Sequence, residues 1–110
     1  MKIDKNKTTN IIKDSESDLP TLITNLNNQL DELILQNTII DISNYRYLTT
    51  KDFNTFFGIS KAYKKAKKSL VLVVSDFDFD TISDKINLVP TMQEAHDIIE
   101  MEEIERDLGF

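Results

Sequence analysis

The apolar positions of residues 38–74 change period twice. Ile39, Ile40 and Ile42 form a nearly continuous run; Phe53, Phe56, Phe57, Ser60, Tyr63 and Ala66 then recur at spacings of three and four; residues 70–74 (LVLVV) are again unbroken. Continuous apolar runs mark parallel strands covered on both faces, and the three-and-four spacing marks a helix with one buried side. The stretch therefore reads as strand, loop, helix and strand, a βαβ unit whose strands run parallel because a helical crossover joins them. Thr49-Thr50-Lys51-Asp52 has the form of a capping box with Asp in place of the usual Glu, which sets the start of the helix. The lysines at its far end suit the negative pole of the helix dipole.

The flanks fit around this unit. Residues 1–5 and 8–13 carry Ile3, Ile11 and Ile12 and predict a hairpin turning at Asn6 and Lys7. Leu19, Leu22, Ile23, Leu26, Leu30, Leu33 and Ile34 line one stripe of an amphipathic helix, capped by Ser17 or Asp18, with Pro20 in the first turn where its missing N–H costs nothing. Residues 75–84 form a polar–aromatic connection, and residues 85–89 predict a short edge strand stopped by Pro90. Thr91-Met92-Gln93-Glu94 is a full capping box that opens a last, long helix ending near Leu108. Met92, Ala95 and Ile99 make one apolar line on it; Ile98, Met101, Ile104 or Glu105, and Leu108 make a second, displaced around the axis. Two faces of this helix thus call for apolar neighbours.

Composition narrows the class. A chain of 110 residues with 40% hydrophobic and 29% charged residues and only two glycines and two prolines matches one globular domain. The absence of cysteine removes disulfide, thiolate and cysteine–metal chemistry and suits a reducing cytoplasm. No apolar h-region opens the chain and no run reaches the roughly 20 residues of a membrane span, so the expectation is a soluble, unexported protein. The net charge of −6 argues against general affinity for nucleic acid or anionic membrane. Charge is uneven, however: Lys61, Lys64, Lys65, Lys67 and Lys68 make a basic patch, and residues 91–110 are strongly acidic.

The most enzyme-like feature is Asp76-Phe77-Asp78-Phe79-Asp80, directly after a hydrophobic strand. As a calcium loop it fails, because Thr81 stands where the turn requires Gly and Asn87 where a bidentate Glu is needed. As the nucleophile of a haloacid-dehalogenase-like phosphatase, Asp76 and Asp78 match, but Asp80 departs from the pattern and too little chain follows for the remaining catalytic elements. The competing reading is a solvated loop with one Phe turned into the core. His96 is the sole histidine, which excludes a His–His metal site within one chain. Glu94, Asp97, Glu100, Glu102, Glu103 and Glu105 read as a solvated helix face, and the lysine cluster as a soluble helix end. Tyr45, Arg46 and Tyr47 stand out as residue types that dominate binding hot spots, on a loop leaving the C-terminal end of a central strand; core packing is the alternative for a tyrosine there.

The order of these elements resembles a STAS domain, the fold of the bacterial anti-sigma-factor antagonists. Ile39-Ile40-Asp41-Ile42-Ser43 resembles the family's central strand, residues 44–48 the loop after it, residues 53–68 the next helix, residues 69–74 the next strand, and Val89-Pro90-Thr91 with Glu94-Ala95 the final strand-to-helix junction. The resemblance implies an Asp-Ser-Ser-Gly motif at the helix entry, with the second serine phosphorylated. Here Thr49, Thr50, Lys51 and Asp52 occupy those positions, so Lys51 stands at the phospho-acceptor position, Asp52 at the glycine, and Thr50 is the neighbouring hydroxyl. The ending MEEIERDLGF also resembles small STAS-like proteins of Bacteroidetes, some of which carry the name ribonuclease Z; that enzyme's HxHxDH metal site needs more histidines than this chain has.

The expectation is an α/β, STAS-like mixed sheet of four to five strands, with at least two helices packed on one face and a long C-terminal helix. The resemblance implies a non-catalytic, regulatory protein-binding module without a cofactor or metal. Its partner would be a protein, such as a regulatory kinase, an anti-sigma-like factor or an associated enzyme. Candidate contacts are Tyr45, Arg46, Tyr47, Thr49, Thr50 and Lys51, with Met101, Ile104 and Leu108 as a second surface. The competing classes are an RNA-processing enzyme or its subunit, a metal-dependent phosphatase at Asp76 and Asp78, and a homodimer through the terminal helix.

Overall fold

The computed structural model describes residues 2–4, 8–14, 18–45, 48–75 and 86–109. Five strands form one sheet in the order β1 (Lys2–Asp4), β2 (Thr9–Lys13), β3 (Asn37–Asp41), β4 (Leu70–Val73) and β5 (Asn87–Val89). β1 pairs antiparallel with β2, Ile3 opposite Ile12, and the remaining three pairings are parallel, with Ile39 beside Val71 and Leu72 beside Leu88. The expected hairpin and edge strand are present; the turn at Asn6 and Lys7 lies outside the described residues.

Because spatial order follows chain order, right-handed crossovers place successive connections on the same side of the sheet. α1 (Leu19–Asn28) and α2 (Leu30–Leu33) link β2 to β3, and α3 (Thr50–Asn54) and α4 (Phe57–Lys65) link β3 to β4. Together they bury Leu22, Leu26, Phe53, Phe56 and Tyr63 against Ile12, Ile40, Leu72 and Val74. The final helix, α5 (Met92–Asp107), takes the opposite face, where Ala95 and Ile99 pack on Ile39, Val71, Val73 and Val89. The even and odd positions of β3 and β4 thus divide between two cores, as the unbroken apolar runs require.

Each of the first two predicted helices is interrupted in the structure. Gln29 separates α1 from α2, and Thr55 and Phe56 separate α3 from α4. At the second break the Thr55 hydroxyl donates to the Asp52 carbonyl at 2.5 Å and the Phe56 N–H to Phe53 at 3.0 Å, so the turn tightens to i→i+3 bonds. The apolar stripe continues across both gaps, with Leu26, Leu33, Phe53, Phe56 and Ile59 all buried. Asp18 is the N-cap of α1, its carboxylate accepting from the Thr21 N–H at 2.8 Å.

Candidate partner-binding surfaces

The C-terminal ends of β2, β3 and β4 carry a set of short side chains whose bonds shape the loop after β3. The Asp41 carboxylate accepts from the Ser43 N–H at 3.0 Å and its hydroxyl at 2.6 Å, turning the chain immediately after the strand. Ser75, just past β4, donates to the Ser43 carbonyl at 2.8 Å. Tyr45 is half-buried against the helical core, and its hydroxyl donates to the carboxylate of Asp14, itself buried at the end of β2. Burial, then the hydrogen bond and charge of Asp14, push the Tyr45 phenol well above its ordinary pKa. Of the three residues singled out on this loop, Tyr45 is therefore tied inward, while Arg46 and Tyr47 lie outside the described residues, as do Asp76, Asp78 and Asp80.

Beyond the loop the chain enters α3 through a reciprocal capping box. Thr49 Oγ1 accepts from the Asp52 N–H at 3.3 Å, and the Asp52 carboxylate accepts from the Thr49 N–H at 2.8 Å. Asp for Glu works here, as the spacing predicts. Thr49, Thr50 and Lys51 are all exposed in this turn, and Thr49 is engaged in the cap with Asp52, which leaves Thr50 and Lys51 outside it.

At the opposite edge, the first residues of the strands meet the last turns of α5. Asn37 donates to Glu103 at 2.8 Å and accepts from the Ser69 N–H at 2.8 Å. The Ser69 hydroxyl donates to Glu102 at 2.6 Å and accepts from Arg106 at 3.1 Å, and Asn87 donates to Glu102 at 3.1 Å. Glu102, expected on a solvated helix face, is instead half-buried and anchors α5, while Glu103 stays exposed as expected and accepts from Asn37. One part was legible: Ala95, Ile99, Glu102 and Arg106 fall on one line at spacings of four, three and four, which turns Glu102 towards the sheet. The strand-side partners Asn37 and Asn87, which open β3 and β5, and Ser69, just before β4, are fixed by the fold and not by any spacing. Between α4 and α5 lies a cleft of about 370 Å³, with Lys64 and Lys68 facing Glu102, Glu105 and Arg106.

The second candidate surface divides cleanly. Met92 and Ile98 are half-buried beside Ala95 and Ile99, whereas Met101, Ile104 and Leu108 are 53%, 53% and 66% exposed. His96 is exposed on the same helix. Among the described residues no group of three His, Cys, Asp or Glu side chains is placed to hold a metal ion, and no helix is long and apolar enough to cross a membrane. No protein-family model matches the chain, and no curated protein matches its sequence.

Proposed function

We propose that the chain is a STAS-like, non-catalytic protein-binding module that recognises its partner through the junction of β3 and α3. The observation that carries this reading is the capping box at Thr49 and Asp52, which holds an exposed Thr50 and Lys51 in a fixed turn at the C-terminal end of a central strand. Pre-ordered side chains lose little conformational entropy on binding, and loops at this end of a parallel sheet are where recognition residues gather. The hairpin, the order of strands and helices and the passage from Val89 through Pro90 into α5 agree with the resemblance drawn from the sequence. Asp52 caps the helix at the position of the family's glycine, and Lys51 stands at its phospho-acceptor, so this module binds without that switch.

The carboxylates described near the strand ends also favour binding over chemistry. Asp41 is bonded to Ser43, Asp14 to Tyr45, and Asp52 to the cap, each in a role that stabilises the fold. The test is affinity capture from the source organism with mass spectrometry, comparing the wild type with Thr50→Arg/Lys51→Glu. Loss of one specific protein from the variant supports the reading; an unchanged capture profile removes this surface. Turnover of a phosphomonoester or of structured RNA that disappears in Asp78→Asn would replace the whole reading with an enzyme.

A further inference from the structure

α5 carries an apolar stripe that the described residues leave exposed, and its surroundings define what would cover it. Ile104 lies nine residues after Ala95, about two and a half turns at 3.6 residues per turn, and so on the opposite side of the helix from the buried line. Met101 and Leu108 flank it at spacings of three and four, and all three are more than half exposed. The stripe does not hold the helix in place. Ala95 and Ile99 do so in the first half, and Glu102, Glu103 and Arg106 in the second, through Asn37, Ser69 and Asn87.

The rim of the stripe has one sign. Glu94, Asp97, Glu100 and Asp107 are exposed around it, while Glu105 borders the cleft that holds Lys64 and Lys68. The only Lys or Arg of α5 is Arg106, which is turned inward to Ser69 and Asn37 at 3.1 and 3.4 Å. A second copy of this helix would bring two such rims face to face, and like-charge juxtaposition works against that pairing. RNA and anionic lipid carry the same sign and are disfavoured for the same reason. The complementary occupant has an apolar line bordered by cations. We infer that the outer face of α5 docks a basic amphipathic helix of a partner protein, its apolar residues on Met101, Ile104 and Leu108 and its Lys or Arg side chains on the acidic rim. This rests on the binding-module reading and supplies its second surface.

The probe is a fluorescein-labelled helical peptide of about 18 residues, with leucines at helical spacing and flanking lysines, matched by one with glutamates in their place. Anisotropy with the full chain should show binding of the lysine peptide, weakened by salt, and at least about tenfold weaker binding of the glutamate peptide. Met101→Ser/Ile104→Ser keeps every charge, folds as the wild type does by circular dichroism, and should lose about tenfold in affinity for the lysine peptide. Glu100→Lys/Asp107→Lys should reverse the preference. Equal binding of the two peptides, binding of neither, undiminished affinity in the serine variant, or a doubled mass by light scattering that the serine variant abolishes would each overturn the inference. The peptide experiment reads this face alone: its failure with capture through Thr50 and Lys51 intact removes the α5 dock and leaves the module standing.

Discussion

The phenol of Tyr45 donates a hydrogen bond to the carboxylate of Asp14, 31 positions earlier in the chain, and so fastens the loop after β3 to the end of β2. Tyr45 faces the core with its ring and a buried acid with its hydroxyl, and the first residues after β3 are held by that pair and by Asp41 and Ser43. Tyr45 is therefore a positioning residue for the proposed recognition loop.

Removing only the hydroxyl measures that role. Tyr45→Phe keeps the ring packing and takes one donor from a buried carboxylate, at a cost of about 1.5–3 kcal/mol for a bond to a charged group. Urea unfolding should show a lower midpoint with an unchanged slope. A midpoint within error of the wild type would mean that the pair does not hold the loop.

The adjacent threonines should separate fold from recognition. Thr49→Ala removes the N-cap of α3 and should destabilise by about 1 kcal/mol. Thr50→Ala, one residue on at an exposed first-turn position, should change stability by less than about 0.5 kcal/mol while weakening partner capture. Equal stability losses in the two variants would contradict the geometry of the cap.

The second half of α5 depends on its polar anchor. Ser69 is the hub, donating to Glu102 and accepting from Arg106. In Ser69→Ala the amides of residues 102–108 should exchange with solvent several-fold faster, while those around Ala95 and Ile99, held by apolar packing, keep their protection. Uniform acceleration along α5 would show that the helix is held as one piece by its apolar line alone.

How far the sequence revealed this fold depended on whether a feature was local. Ile39, Ile40, Ile42 and residues 70–74 announce two buried parallel strands because a strand covered on both faces has no polar alternation to hide it. Thr49 with Asp52, and Thr91 accepting from the Glu94 N–H at 3.1 Å, were legible because capping is settled within four residues. The interruptions at Gln29 and at Thr55 and Phe56 were hidden, since each preserves the buried stripe across the gap; no Gly or Pro stands at the first, and Gly58 past the second falls inside the stripe's continuation. The binding of Asn37, Ser69 and Asn87 to Glu102, Glu103 and Arg106 joins segments up to 69 positions apart, beyond the reach of any periodic pattern. The outer stripe of Met101, Ile104 and Leu108 was visible as a second apolar line; its exposure follows only from the position of the sheet. Tyr45, chosen for its residue type, proved to share its hydroxyl with Asp14, a contact no spacing rule could disclose.

Alkaline pH should expose the second buried tyrosine. Tyr63 donates to Thr38 Oγ1 at 2.7 Å inside the helical core, and burial pushes its phenol up from 10.0 to about 12, against the smaller lowering effect of the Thr38 bond. Folding favours the neutral form, so this contribution is fully present below pH 10 and is lost as pH rises towards 12. The loss should be on the order of 2 kcal/mol. Tyr63→Phe should be less stable at neutral pH by about 1 kcal/mol and should lack this alkaline step. Parallel declines of the two proteins between pH 10 and 12 would assign the step to other groups.

The end of α4 contains a correctable strain. Lys68 N–H bonds to the Tyr63 carbonyl at 2.9 Å and Lys67 N–H to Lys64 at 3.1 Å, the pair of bonds of a Schellman motif, and Lys67 occupies the left-handed position with φ of 60°. That position normally holds Gly, because a side chain there costs about 1 kcal/mol through contact between Cβ and the backbone. Lys67 is exposed, so its replacement removes no buried contact. Lys67→Gly should therefore raise stability by up to about 1 kcal/mol, less whatever glycine adds to the freedom of the unfolded chain. Lys67→Ala keeps Cβ and should give no comparable gain. Thermal denaturation of the two variants decides it: a melting temperature for Lys67→Gly at or below that of Lys67→Ala would mean the turn is not held in the left-handed conformation.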